Sequence, residues 1–246
     1  MKIIAHRGAS GEAPENTLAS INLAWELNAD GVEIDLRLSA DHYPVLFHDT
    51  DLQRIAGVKL PICQQTMEEL NQYDVGQWKD PKWEGENIPT LDTVLSVTPN
   101  DRIILIELKD GLDLLTSIER TISSMSLKMS NLWFMSFDLS TLEQIKLRHS
   151  SWQTLLLVNN PKSDPLKELS CKIVDAQDVH ADGLGLANSW FGTLQLIPRQ
   201  NYSQFLLSTW TVNDIVDAQN WASLGADMIT TDFPEQIANS LKFHAS

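Results

Sequence analysis

Two cysteines in 246 residues, Cys63 and Cys171, are too few for a disulfide framework, and nothing about their spacing suits a thiolate metal site. The chain reads as one with isolated reduced thiols. Basic residues are scarce too: 18 Lys and Arg stand against 33 Asp and Glu, a formal charge of -15. That field repels nucleic acid and anionic membrane over most of the surface, so an anionic substrate would need locally concentrated positive charge or a metal. No stretch reaches the roughly 18 apolar residues of a membrane span, and Met1-Lys2-Ile3-Ile4-Ala5 is too short an apolar run for a secretory leader. A soluble, cytoplasmic protein without stable membrane insertion is the expectation. Gly-x-Gly-x-x-Gly and P-loop sequences are also missing, which removes the support for a nucleotide-binding open sheet.

What is present is a repeating alternation of strand and helix. Lys2 to His6 is a short apolar strand stopped by Gly8 and Gly11. Asn16 or Thr17 then caps a helix carrying Leu18, Ile21, Ala24 and Trp25 at helical spacing. Gly31 to Leu38 alternates Val32, Ile34 and Leu36 with Glu33, Asp35 and Arg37. After the turn Asp41-His42, Pro44 to His48 returns as a further short strand. Regularity lapses over 50–89, which reads as an inserted subdomain or long active-site loop, and resumes with a helix over Leu91 to Val97. Strands starting near Lys2, Gly31, Arg102, Leu132, Thr154, Gly183, Phe205 and Asp227 make eight, all but the second followed directly by a helix. That count and order predict one (β/α)8 barrel over residues 1–246, an α/β fold, rather than an open sheet.

In a barrel one strand face points inward and the other packs beneath the helices. The apolar set of the second strand belongs under the helices, which sends Glu33 and Asp35 inward. Glu107 and Lys109 share a face at the carboxyl end of the next major strand, so three carboxylates converge. Burying them unpaired costs several kcal/mol apiece, so something positive must sit among them. An all-oxygen set suits one divalent cation, Mg²⁺ or Ca²⁺, whereas zinc would recruit histidine or cysteine. The competing reading is a Glu33/Asp35 pair bridged to Arg37 on an exposed face; Glu107 and Lys109 on a second strand weigh against it. His6 and His48 each follow an apolar strand and flank the carboxylates, as an acid and a base would. Arg7 and Lys109 are the natural phosphate contacts, although strict alternation puts Arg7 opposite His6 unless the strand has ended by Gly8. Trp210 could wall a substrate pocket. His42, His149, His180 and His244 have structural readings as turn, helix-end, loop and tail residues.

At these residues the sequence resembles the glycerophosphodiester phosphodiesterase family. The matching pieces run in order along the chain: His6-Arg7-Gly8, Pro14-Glu15-Asn16-Thr17, Gly31-Val32-Glu33-Ile34-Asp35, His48-Asp49, Ile88-Pro89-Thr90-Leu91, Glu107-Leu108-Lys109, Ser136-Phe137-Asp138, Trp210-Thr211-Val212-Asn213 and Thr231-Asp232-Phe233-Pro234. The resemblance implies a barrel with a small insertion after its second strand, Glu33, Asp35 and Glu107 as metal ligands, His6 and His48 as the acid-base pair, and Arg7 and Lys109 on the phosphate. It further implies hydrolysis of a small glycerophosphodiester to sn-glycerol 3-phosphate and an alcohol through a cyclic phosphate. Two departures stand out. Asp41-His42 replaces the usual Asp-Gly turn, and Ile55-Ala56 stand where threonines commonly follow the arginine. The rival readings are a phospholipase D-like enzyme acting on lysophospholipids and a silent barrel that binds phosphate esters.

Overall fold

The structure, a computed structural model, describes residues 1–125 and 129–242. Nine strands are formed among the described residues: β1 (Lys2–His6), β2 (Gly31–Leu38), β3 (Pro44–Leu46), β4 (Ile103–Leu108), β5 (Leu132–Ser136), β6 (Gln153–Val158), β7 (Gly183–Ala187), β8 (Leu206–Trp210) and β9 (Met228–Thr231). Eight of them run parallel in the order β1, β9, β8, β7, β6, β5, β4, β2, and β1 pairs with β2 to close the ring. The short β3 lies antiparallel on β2, Leu46 opposite Leu36. This is the expected (β/α)8 barrel, with its strand starts within one residue of those read from the sequence.

Alternation decides what each strand face does. Val32, Ile34, Leu36, Ile104, Ile106 and Leu108 point outward into the layer beneath the helices Leu18–Glu26, Leu91–Val97 and Leu112–Ser123. Ile4, Leu105, Trp133, Met135, Leu155, Leu157 and Met228 fill the barrel interior. The inward side of β2 and β4 ends in Glu33, Asp35 and Glu107, all buried, so the polar residues sit on top of an apolar plug. Thr17 caps the first helix through its hydroxyl, with Ser20 answering in a capping box.

Residues 50–89 contain the short helices Gln53–Ala56 and Met67–Leu70 and the single turns Ile62–Gln64 and Pro81–Trp83. Val45, Phe47, Leu52, Ile55, Ile62, Leu70, Val75 and Ile88 form an apolar cluster of their own beneath them. The helical layer is thinnest after β7, where the sequence Ser189 to Leu196 suggests a helix but forms only a turn at Asn188–Trp190 followed by Phe191–Leu194, because Gly192 weakens it from inside and Pro198 lies close beyond. His42 takes φ 63°, the left-handed value that glycine adopts freely, so the replacement keeps the turn and places the strain on the histidine.

No helix among the described residues is long and apolar enough to cross a membrane. Because Ile34 is fully buried under the helices, Ile34→Ala should cost about 2–5 kcal/mol in chemical denaturation, while Glu33→Gln, one residue along on the other face, should cost nothing in the metal-free protein. Equal losses from the two changes would contradict this division of the strand.

Candidate active site

β1 climbs until His6 is level with Glu33 of β2, and β3 descends along the same edge until the Phe47 amide donates to the Asp35 carbonyl. His6, which ends β1, and His48, just beyond β3, therefore reach the acidic cluster from opposite directions. Glu33, Asp35 and Glu107 each present an oxygen within 4.8 Å of the others.

The chain leaves β1 sharply. Arg7 adopts φ 54° and Gly8 φ 80°, and a Cβ on Gly8 would lie only 2.5 Å from the Ser20 backbone carbon. This left-handed step removes the alternation conflict: the Arg7 side chain turns into the site, its Nε 3.0 Å from Asp35 Oδ2 and a terminal nitrogen 2.8 Å from Glu15 Oε1. Its amide also donates to Glu33 Oε2 at 3.0 Å. Lys109 places Nζ 2.7 Å from Glu107 and 3.1 Å from Asp35. The carboxylates thus have two protein counterions, part of the positive charge the sequence called for among them; still, two cations face three acids. Arg37 takes no part. It donates to the His48 carbonyl at 2.9 and 2.8 Å and pairs with Asp110, so the reading of Glu33 and Asp35 as its surface partners fails.

The shortage of positive charge shows in the titration of the acids. Burial opposes ionisation of Asp35, but Arg7 and Lys109 outweigh it and hold the group well below the usual carboxylate range. Burial, followed by the Asp35 charge, drives Glu33 well above that range and pushes Glu107 up to about 7. Protons stand in for missing charge. An all-oxygen donor set that retains protons for want of a counter-ion fits a hard divalent cation, so Glu33, Asp35 and Glu107 are the residues that could hold one.

Each histidine is held from behind. His6 Nδ1 lies 2.7 Å from Asp232 Oδ1, at the end of the last strand, with Nε2 3.9 Å from Glu33 Oε2. Asp232 also accepts from Ser10 Oγ at 2.9 Å and Asn213 Nδ2 at 2.6 Å. These bonds, the His6 contact foremost, overcome its burial and lower it to about 2. His48 Nδ1 lies 2.7 Å from Asp49 Oδ1, and burial holds its imidazole below the ordinary value. A carboxylate at Nδ1 fixes the Nδ1–H tautomer and leaves Nε2 to exchange a proton.

The sequence-derived residues His6, Arg7, Glu33, Asp35, His48, Glu107 and Lys109 therefore meet at one end of the barrel. Trp210 joins them on the far wall: it lines, with His6, Glu33, Glu107, Met135 and Leu157, a small pocket of about 30 Å³. Its indole donates to the Gly185 carbonyl at 3.0 Å, and Phe137 meets it edge-on at 5.7 Å. Asp232, Asp49, Asn16, Glu15 and Arg54 escaped assignment. Asn16 brackets Asp35, giving its amide to Oδ2 at 2.8 Å and taking the Asp35 N–H at 3.1 Å. A carboxylate at the carboxyl end of the last barrel strand was the available signal for Asp232. Of the other histidines, His149 binds Glu119 and stacks on Trp152, and His244 lies outside the described residues. Both cysteines are free.

An acidic cluster that could hold a cation, two carboxylate-backed histidines and two basic side chains at the carboxyl mouth of a (β/α)8 barrel have the make-up of a barrel enzyme's site for proton transfer. The family model for the glycerophosphoryl diester phosphodiesterase family matches residues 6–236. YhdW of Bacillus subtilis is 31% identical over 240 residues, 96% of each chain. A glycerophosphodiester phosphodiesterase of Caldanaerobacter subterraneus is 29% identical over 248 residues, 98% of this chain and 97% of the relative. Among solved structures, an Oleispira antarctica phosphodiesterase in complex with the product sn-glycerol-3-phosphate superposes with a TM-score of 0.84 at 29% identity, covering 98% of this chain and 97% of that one. The chain belongs to the glycerophosphoryl diester phosphodiesterase family and is an enzyme of that kind, a phosphoric diester hydrolase.

Glu107 gives the cluster a measurable pH dependence. Between its unfolded value near 4.5 and its folded value of about 7, the metal-free native state keeps a proton that the unfolded chain has lost, so this group's contribution to stability falls as pH rises through that window. A divalent cation must displace the same proton. Calorimetric titration with Mg²⁺ or Ca²⁺ in buffers of different ionisation enthalpy should show net proton release at pH 6 that shrinks by pH 8.5; release independent of pH would contradict the protonated cluster.

Proposed function

We propose that this protein is a metal-dependent glycerophosphodiesterase that splits its substrate into sn-glycerol 3-phosphate and an alcohol. The observation that carries the reading is the pair of histidines, each locked at Nδ1 by its own carboxylate, converging on one edge of the acidic cluster. The product complex of the Oleispira relative supports the substrate class.

A phosphodiester entering the mouth brings the negative charge that Arg7 and Lys109 are placed to meet, at the cost of loosening their contacts with Asp35 and Glu107. Glu33, Asp35 and Glu107 would hold a divalent cation, which would supply Lewis acidity beside the reacting phosphate. One histidine takes the proton of a glycerol hydroxyl of the substrate on Nε2 as that oxygen attacks phosphorus. The other gives its Nε2 proton to the departing alkoxide. The products are an alcohol and a cyclic phosphate. Water then opens the ring with the two histidines in exchanged roles, and each ends in its starting state. Trp210 and the apolar Met135 and Leu157 wall the cavity beside His6 and exclude water from that side of the reacting group.

His6→Ala and His48→Ala should each lower kcat on glycerophosphocholine by about 10²–10⁴ with the fold retained by circular dichroism, and near-normal turnover by either would overturn the assignment. Exhaustive EDTA treatment followed by dialysis should abolish turnover, with Mg²⁺ or Ca²⁺ restoring it. Undiminished activity in the chelated enzyme would refute the metal requirement.

A further inference from the structure

Arg54 belongs to the short helix Gln53–Ala56 inside the insertion, outside the barrel that supplies the proposed acid-base and metal-binding residues. Its guanidinium nevertheless reaches into the site. Nε lies 2.6 Å from Asp49 Oδ2, and the two terminal nitrogens lie 2.9 and 2.7 Å from Glu15 Oε2 and Oε1. Asp49 holds His48 through its other oxygen at 2.7 Å. Glu15 Oε1 also accepts from Arg7 at 2.8 Å. One planar fork therefore binds two carboxylates, and each of those carboxylates grips a different member of the proposed machinery.

The rest of the insertion supports this side chain. The guanidinium carbon lies 5.9 Å from the centroid of the Trp78 ring, within cation–π range, and Lys79 Nζ lies 6.0 Å from the same ring. Lys79 also donates to the Ser10 carbonyl at 2.7 Å, tying the insertion down onto the β1 loop. The ordinary explanation of such a cluster is a surface ion-pair network, and Arg54 is 43% exposed at its side chain. Exposed pairs contribute about 0–1 kcal/mol to stability, too little to account for a third hydrogen bond aimed at an imidazole-bound carboxylate.

We propose that Arg54 is a positioning residue through which the insertion sets the catalytic geometry: it orients His48 by way of Asp49 and aligns Arg7 by way of Glu15. The proposal rests on the acid-base reading of His48 given above. Without Arg54, the Asp49 carboxylate loses the bond that opposes its rotation, and His48 loses the fixed partner that holds its ring plane. Glu15, freed of one cation, draws more strongly on Arg7 and pulls it from the phosphate. A lysine at this position keeps the charge but not the fork that spans both acids.

The test is a double-mutant cycle with glycerophosphocholine at saturating divalent cation. Arg54→Gln should lower kcat about 10-fold, within the range that misplacement of a reacting group costs, and raise KM. Arg54→Lys should recover part of kcat. In a His48→Ala background Arg54→Gln should leave kcat unchanged while the rise in KM persists, because the Arg7 arm is still intact. An equal loss of kcat in both backgrounds, or no loss in the wild-type background, overturns the positioning role. Full turnover by His48→Ala alone overturns the acid-base reading and this proposal with it. A drop in thermal midpoint with kcat and KM unchanged would return Arg54 to a purely structural part.

Discussion

Three carboxyl groups brought within 4.8 Å of one another at the dry end of a barrel are the constraint around which the other features arrange themselves. Such a cluster is unfavourable by several kcal/mol unless charge or protons compensate it. Arg7 and Lys109 compensate Asp35 most fully, the Asn16 amide donates one further hydrogen bond to its carboxylate, and Glu33 and Glu107 are left under-supplied. The sharp exit from β1 at Arg7-Gly8 and the descent of β3 toward Asp35 both serve to bring basic groups to that point. In the proposed function, destabilisation built into the metal-free cluster would be what favours a bound cation, so local instability and function would have a common origin.

The mouth of the barrel is divided. β1 to β4 and the residues just beyond them contribute His6, Arg7, Glu33, Asp35, His48, Glu107 and Lys109, whereas β5, β6 and β8 contribute Met135, Leu157 and Trp210. A substrate with a charged centre and a small organic arm meets both halves at once. In the proposed function the phosphate lies against the charged wall. Orientation then follows from the partition of polarity and needs few specific hydrogen bonds on the apolar side.

The parts legible in the sequence were those governed by short-range periodicity. Alternation along β2 separated Val32, Ile34 and Leu36 from Glu33 and Asp35, and the same rule on the next major strand exposed Glu107. The count of strand-helix units established the barrel. Arg7 was ambiguous because the alternation rule assumes extended backbone, and a single left-handed residue reverses the side on which a side chain emerges. Asp232 was out of reach for a different reason. Its partner lies 226 positions earlier in the chain, and only the closure of the barrel between β1 and β9 brings them together. Asp49 and Glu15 lay inside the quoted motifs, but their importance comes from Arg54, which projects from the least periodic segment of the chain.

The pairing of His6 with Asp232 also has a bearing on the life of the polypeptide at the ribosome. The acids and His6 are made early, yet His6 stays without its carboxylate until the ninth strand has emerged and slotted in beside the first. Until then the nascent chain has no oriented imidazole at that position and no closed ring around its interior. In the proposed function, a chain stopped short of β9 would therefore lack one arm of its acid-base pair.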